Sequence, residues 1–418
     1  MLRRTFLQQS LLAAVSTAAV ALAGAARPRQ ILLRSSWQTV NIGDIAHTPG
    51  ALRLLETLLP DVQVTLWPMN VDRGVREMLH ANFPRVRIVE GKLDREGRPL
   101  TPELREAWEQ ADLLLHGSGP SVVAWKDLRA WRRSTRKPFG VYGVTIGEVD
   151  DELRELLSAA AFVYCRDTIS VDVIRKAGVK SPVMEFAPDA TFAVHLRDDA
   201  RAQEYLRAHG LEPRKFVCAI PRLRYTPYYK IHNRQPTPRD LERQRVSEQF
   251  KEADHAKLRE AIVTWVRQTG LPVLACPEMT YQVALAKEVL VDPLPADVKP
   301  KVAWRDRYWL TDEAASVYAQ ARAVVSLEMH SPILAAAAGT PAFYLREPTD
   351  TSKGQMWRDI GLEPWIFEID ATRGADISAR LLELHRDYPA AQARLAKAMQ
   401  FVARRQRESM AVVGKAAG

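Results

Sequence analysis

The sequence predicts an α/β protein of two units, each a parallel sheet flanked by helices. Three observations carry this. At 418 residues the chain is too long for one ordinary core and suits two domains. Short apolar runs alternate with charged, helix-patterned stretches, as when crossover helices join parallel strands. The alternation breaks once, over the charged stretch 197–215, and then restarts. With 47% hydrophobic and 26% charged residues the composition is globular, which excludes a disordered or collagen-like chain. Three cysteines (Cys165, Cys218, Cys276) lie far apart, which excludes a disulfide scaffold and argues against a cysteine zinc site. The formal charge of +9 favours anionic partners. The basic residues are scattered, so nucleic acid is not expected.

Residues 1–25 read as an export signal outside the fold. Arg3 and Arg4 precede an apolar run over 11–23, and Ala21-Leu22-Ala23 and Ala23-Gly24-Ala25 both fit a cleavage site. The run is too short to span the roughly 30 Å core of a bilayer. Arg3-Arg4-Thr5-Phe6-Leu7 looks like a twin-arginine signal, with an ordinary secretory signal or an uncleaved anchor as alternatives. Without it the charge is about +7. The expected location is the periplasm or cell envelope, or a cytoplasm-facing position if the segment stays as an anchor. Association with a membrane surface stays open. No later stretch is long and apolar enough for a span.

The first unit, 27–196, has strand-like runs at 30–34, 62–67, 86–89, 112–116, 139–144 and 161–165, with helical stretches at 102–110 and 148–160. Thr48 is expected to cap a helix with Pro49 at its first position, running to Pro60. The second unit, 215–380, has expected strands at 216–220, 272–275, 289–291, 323–326 and 342–345 and a helix at 256–269. Residues 381–418 form a helical tail. Between the units, 222–255 is rich in Arg, Tyr and Pro and reads as an inserted loop followed by a solvated helix.

Ligands of open α/β sheets sit at the carboxyl ends of strands, so chemistry is sought in the loops that follow them. Ser326-Leu327-Glu328-Met329-His330-Ser331-Pro332 leads from a buried strand into a short apolar helix ended by Gly339. The start of that helix suits a phosphate or carboxylate, with His330 at its mouth; the plainer reading is a histidine that caps a turn. Gly117-Ser118-Gly119-Pro120-Ser121 reads as a tight turn or a close approach to ligand, and lacks the lysine of a P-loop. Asp44, in Asn41-Ile42-Gly43-Asp44, suits a proton acceptor, a sugar ligand or a cap. Arg166-Asp167-Thr168-Ile169-Ser170 reads first as a capped helix start. Pro188-Asp189 is a turn or a carboxylate facing the cleft. Arg222, Arg224, Tyr225, Tyr228, Tyr229, Lys230, His232 and Arg234 combine cations with aromatic faces, which suits sugars and anions, or an exposed loop. Lys353 stands where a lysine reaches an anion held near His330.

In order and spacing these motifs resemble the polysaccharide pyruvyl transferase family. The matching residues are Asn41 to Asp44, Gly117 to Ser121, Arg166 with Asp167 and Ser170, Pro188-Asp189 with Phe192, and His330 to Pro341. The resemblance covers roughly 40 to 370. It implies two Rossmann-like domains facing across a cleft, as in glycosyltransferases of the B type. It implies phosphoenolpyruvate as donor and an envelope polysaccharide or oligosaccharide as acceptor, joined as a pyruvyl ketal, with no metal and no further cofactor. His330 and Ser331 would bind the donor with Lys353, and His330 would serve as acid. Arg222 or Arg224 would add a cation by residue chemistry alone. Asn41, Asp44 and Asp189 would line the acceptor side, with Asp44 also in the reaction, and Tyr225, Tyr228 and Tyr229 would touch glycan.

Two departures stand against this. The family usually has arginine two residues before the histidine, where this chain has Glu328. A carboxylate beside an anionic donor costs ~1 kcal/mol at about 4 Å in water and more when partly buried. An export signal also leads away from phosphoenolpyruvate. The alternatives are an exported, catalytically altered relative that binds or modifies glycans, and a nucleotide-sugar glycosyltransferase on the same fold.

Overall fold

The computed structural model of the chain describes residues 27–418, so the export-signal reading of 1–25 lies outside the described residues. Two wholly parallel sheets form. The first joins β1 (Gln30–Ser35), β2 (Gln63–Pro68), β3 (Arg87–Ile88), β4 (Leu113–His116), β5 (Phe139–Val144), β6 (Phe162–Cys165) and β7 (Met184–Phe186) in the order β3-β2-β1-β4-β5-β6-β7. The second joins β8 (Val217–Ile220), β9 (Val273–Ala275), β10 (Val302–Trp304), β11 (Ala323–Ser326), β12 (Ala342–Arg346) and β13 (Ile366–Glu368) in the order β10-β9-β8-β11-β12-β13. Both are Rossmann-like. Their order reverses between β1 and β4 and between β8 and β11, and at such a point a crevice opens at the carboxyl ends of the strands.

The central strands are buried on both faces and therefore read as continuous apolar runs. Where that cue fails, the expectation fails. Val289 to Val291 are not a strand: they lie in the helical turn Lys287–Val291, which continues the helix Gln282–Ala286. A short buried apolar run looks alike in either state. The third strand of that sheet is β10 instead. The helix expected to begin at Pro49 begins seven residues earlier, as Ile42–Leu58, with Pro49 inside it. Asn41 caps it, its side-chain oxygen accepting from the N–H groups of Gly43 (2.6 Å) and Asp44 (3.3 Å). The solvated helix of the inserted segment is the long Pro238–Thr269, started by a Thr237–Asp240 capping box.

The two units dock with their carboxyl ends facing. Ile42 N–H donates to the Glu278 carbonyl and Thr280 N–H to that of Val40, both at 3.0 Å. Thr168 donates to Asp359 through its N–H (2.9 Å) and hydroxyl (2.8 Å). One apolar core runs through both units, from Ile31 and Leu33 to Val217 and Val325. The tail helix Tyr388–Ala416 crosses back to the first unit. There Arg405 pairs with Glu185 at 2.9 Å and the Ser409 hydroxyl meets that of Tyr142 at 3.1 Å.

Candidate active site

Loops after β1, β4, β6 and β7 meet loops after β8, β9, β11 and β12, and two polar clusters form where they join. The first centres on His47, in the first turns of the helix Ile42–Leu58, and His330, which opens the helix His330–Ala337. Their rings lie edge to face with centroids 5.0 Å apart. His330 fits because Gly43 has no side chain: a Cβ there would lie 2.2 Å from the imidazole. His47 Nδ1 faces Asp189 Oδ1 at 3.0 Å and the Ser118 hydroxyl at 2.7 Å. Asp189 Oδ2 accepts from Arg166 at 2.7 Å, and Arg166 also donates to Thr145. Burial alone would raise the Asp189 carboxyl, but His47 and Arg166 outweigh it and hold it well below the usual range. Burial and the neighbouring His47 push His330 well below the ordinary histidine value. His330 is thus neutral at pH 7 and ill suited to the acid's role.

The second cluster follows β8, β11 and β12. Arg222 reaches Glu328 (3.4 Å), Glu347 (3.3 Å) and Asp350, and Lys353 also lies 3.3 Å from Asp350. Glu328 further accepts from Gln282 at 2.8 Å. Two cations thus face three buried carboxyls, and the Arg222 and Lys353 side chains are themselves only 11% and 13% exposed. Burial opposes charge on Asp350, yet Arg222 and Lys353 hold its carboxyl far below normal. The other two divide differently. Burial pushes Glu328 up to about 7 and Glu347 up to about 8, with Arg222 pulling each down only in part.

Several expected site residues take other positions. The start of the helix His330–Ala337 is not open to an outside anion. Glu278 fills it, accepting from the Ser331 N–H at 2.6 Å and from the Ser331 hydroxyl at 2.8 Å. Ser331 is therefore a partner of Glu278, and burial pushes that carboxyl up to about 7 against those two bonds. Arg224 does not face the cleft: it pairs twice with Asp254 at 2.8 Å, lies over the Phe250 ring and reaches Asp370. Asn41 is spent as the helix cap. Asp189 is fully buried behind His47 rather than lining the acceptor side. Tyr225 lies under Arg243 and Tyr229 bonds Gln244, so both pack on the long helix Pro238–Thr269. Tyr228 alone of the three reaches the cleft rim, where Gln38 donates to its hydroxyl at 3.2 Å and also to Asp44. Arg222 and Lys353 do meet, with His330, Asp44 and Glu328 near the junction. His47, Glu278, Glu347 and Asp350 went unnamed at the sequence level. Glu278 and Glu347 each lie within three residues of a strand's carboxyl end, which was a usable signal.

A model of the polysaccharide pyruvyl transferase family matches residues 41–347, well over half of the chain. The chain belongs to the polysaccharide pyruvyl transferase family. That membership makes it a transferase. No curated protein sequence matches it. Solved structures of similar fold include MnaA of S. aureus with UDP (TM-score 0.55, 11% identity, 88% of this chain and 91% of that one). HepE of Anabaena with UDP-glucose is another (0.53, 10% identity, 90% and 95%). A third is the UDP-GlcNAc 2-epimerase of Neisseria meningitidis bound to UDP-GlcNAc (0.52, 9% identity, 90% and 98%). At these identities the likeness shows the fold, two Rossmann-like domains as in glycosyltransferases of the B type.

Proposed function

We propose that the cleft transfers a pyruvyl group from phosphoenolpyruvate to two hydroxyls of one sugar in an envelope polysaccharide, forming a ketal. The supporting observation is the meeting of Arg222 and Lys353 around Asp350, beside Glu328, whose carboxyl burial pushes up to about 7. C3 of the enol takes a proton, one sugar oxygen bonds C2, the second displaces phosphate, and both hydroxyl protons leave. Arg222 and Lys353 take the donor's anionic groups in place of Asp350 and Glu347. Glu328 is the proton donor, because its raised value lies near neutrality and His330 is held neutral. Asp44 accepts a hydroxyl proton, and Tyr228 contacts glycan at the rim. Glu328 thus has a use in the place of the family arginine. The test is phosphate release from phosphoenolpyruvate with oligosaccharide acceptors, and an acid-labile pyruvyl product by mass spectrometry. Arg222→Gln and Lys353→Met should each abolish both signals. Product formation unaffected by either change would contradict the assignment.

One observation favours a second reading. Glu278 already occupies the helix start where the donor was expected. On this reading the chain, exported by its twin-arginine-like leader, binds or modifies glycan without phosphoenolpyruvate. Glycan binding that persists with no donor turnover, in protein recovered from the periplasmic fraction, would select it.

A further inference from the structure

The two histidines stand side by side at the junction of the units. A carboxylate only accepts, so the proton shared between His47 and Asp189 sits on His47 Nδ1, and in the neutral ring Nε2 keeps a free lone pair. On the other side of the junction His330 Nδ1 faces Glu278 Oε1 at 3.4 Å. Each imidazole has a carboxylate oxygen within 3.4 Å of Nδ1, hydrogen-bonded to it in His47 only. Each also has a buried Nε2 with no hydrogen-bonding partner among the described residues. An orphaned buried nitrogen costs about 1–3 kcal/mol, and the two rings that carry these nitrogens lie with centroids 5.0 Å apart. One ring nitrogen of each histidine and an oxygen of Asp189 all lie within 4.8 Å of one another. A carboxylate that fixes the tautomer and aims the far nitrogen is the arrangement that metal-bound histidines use.

We propose that His47 and His330 bind a divalent first-row metal ion of the zinc type through their Nε2 atoms, with Asp189 orienting the His47 ring from behind. Two nitrogens with nearby oxygen suit such an ion better than magnesium or calcium, which take oxygen ligands. One ligand comes from each unit, so the ion ties the first domain to the second beneath the cleft. Arg166 keeps Asp189 ionised without competing for the ring nitrogens, since it only donates. The inference stands on these side chains and does not depend on the donor.

The test uses the untagged full chain, stripped by chelator and titrated with Zn²⁺ by calorimetry and with Co²⁺ by visible absorption. The expected result is a single equivalent bound, a Co²⁺ spectrum of nitrogen ligation, and a rise in melting temperature on adding Zn²⁺. His330→Gln and His47→Gln should lower affinity at least ~100-fold, and Asp189→Asn by about 10–100-fold as a change behind the ligand. Melting of each metal-free variant against metal-free wild type shows that it folds. His330→Gln carries the test if the variant of the fully buried His47 does not fold. Wild type that takes up no stoichiometric metal overturns the proposal. So do folded histidine variants that bind as wild type does.

Discussion

At the scale of single residues, the raised carboxyls set how stability follows pH. Burial pushes Glu347 up to about 8, and Glu278 and Glu328 up to about 7. In the unfolded chain such a group titrates near ~4.3. Its contribution is complete below that value and is lost as pH climbs through the folded one. Buried histidines oppose this on the acid side. Burial pushes His255 down to about 4 and His116 to about 3, so their contribution drains as pH falls below about 6.5. We predict a melting temperature highest around pH 6 and falling toward pH 8, with a shallower alkaline slope in Glu347→Gln. An unchanged slope would place the titration elsewhere. Arg222 belongs to the same cluster. Arg222→Ala should cost about 3–5 kcal/mol in denaturant unfolding, because it strands buried carboxyls, and lower pH should restore part of it. A loss below about 1 kcal/mol would show that the cluster is not held by that guanidinium.

At the scale of elements, the start of the helix Ile42–Leu58 is fixed by what lies against it. Gly43→Ala would set a methyl 2.2 Å from the His330 ring. We predict a stability loss of about 1–3 kcal/mol, read by thermal melting, together with weakened Zn²⁺ binding. Unchanged values of both would mean that His330 is free to move aside. This region also shows what sequence can and cannot tell. The strands β4, β5, β6 and β8 were legible because burial on both faces makes them apolar throughout. β10 and β13 have three residues each, and β13 is only half-buried, so neither stood out. Proline pointed to a helix start at Pro49, yet the asparagine cap eight residues upstream prevailed. The cations of the site were legible as residue types. Their partners were not: Asp350 lies 128 residues from Arg222, and Glu278 lies 53 from Ser331. Spacing along the chain carries no trace of such pairings.

At the scale of the whole molecule, the two sheets share one core and the tail helix Tyr388–Ala416 binds the first unit from the far end of the chain. Leu395, Val402, Met410 and Val413 are buried by that return. Truncation after Asp387 should therefore expose their counterparts and leave the protein aggregated or melting well below wild type. A truncated chain that melts as the full one does would show the tail to be dispensable. The docked units bring cations and near-neutral carboxyls to one junction, and the functional account rests on that junction taking an anionic donor. The measurement that tests it most directly is calorimetric titration with phosphoenolpyruvate at about pH 6 and about pH 8. The account predicts saturable binding that is tighter at the lower pH, where Glu328 and Glu347 carry protons, and that is absent in Arg222→Gln. No heat at millimolar donor at either pH would contradict it.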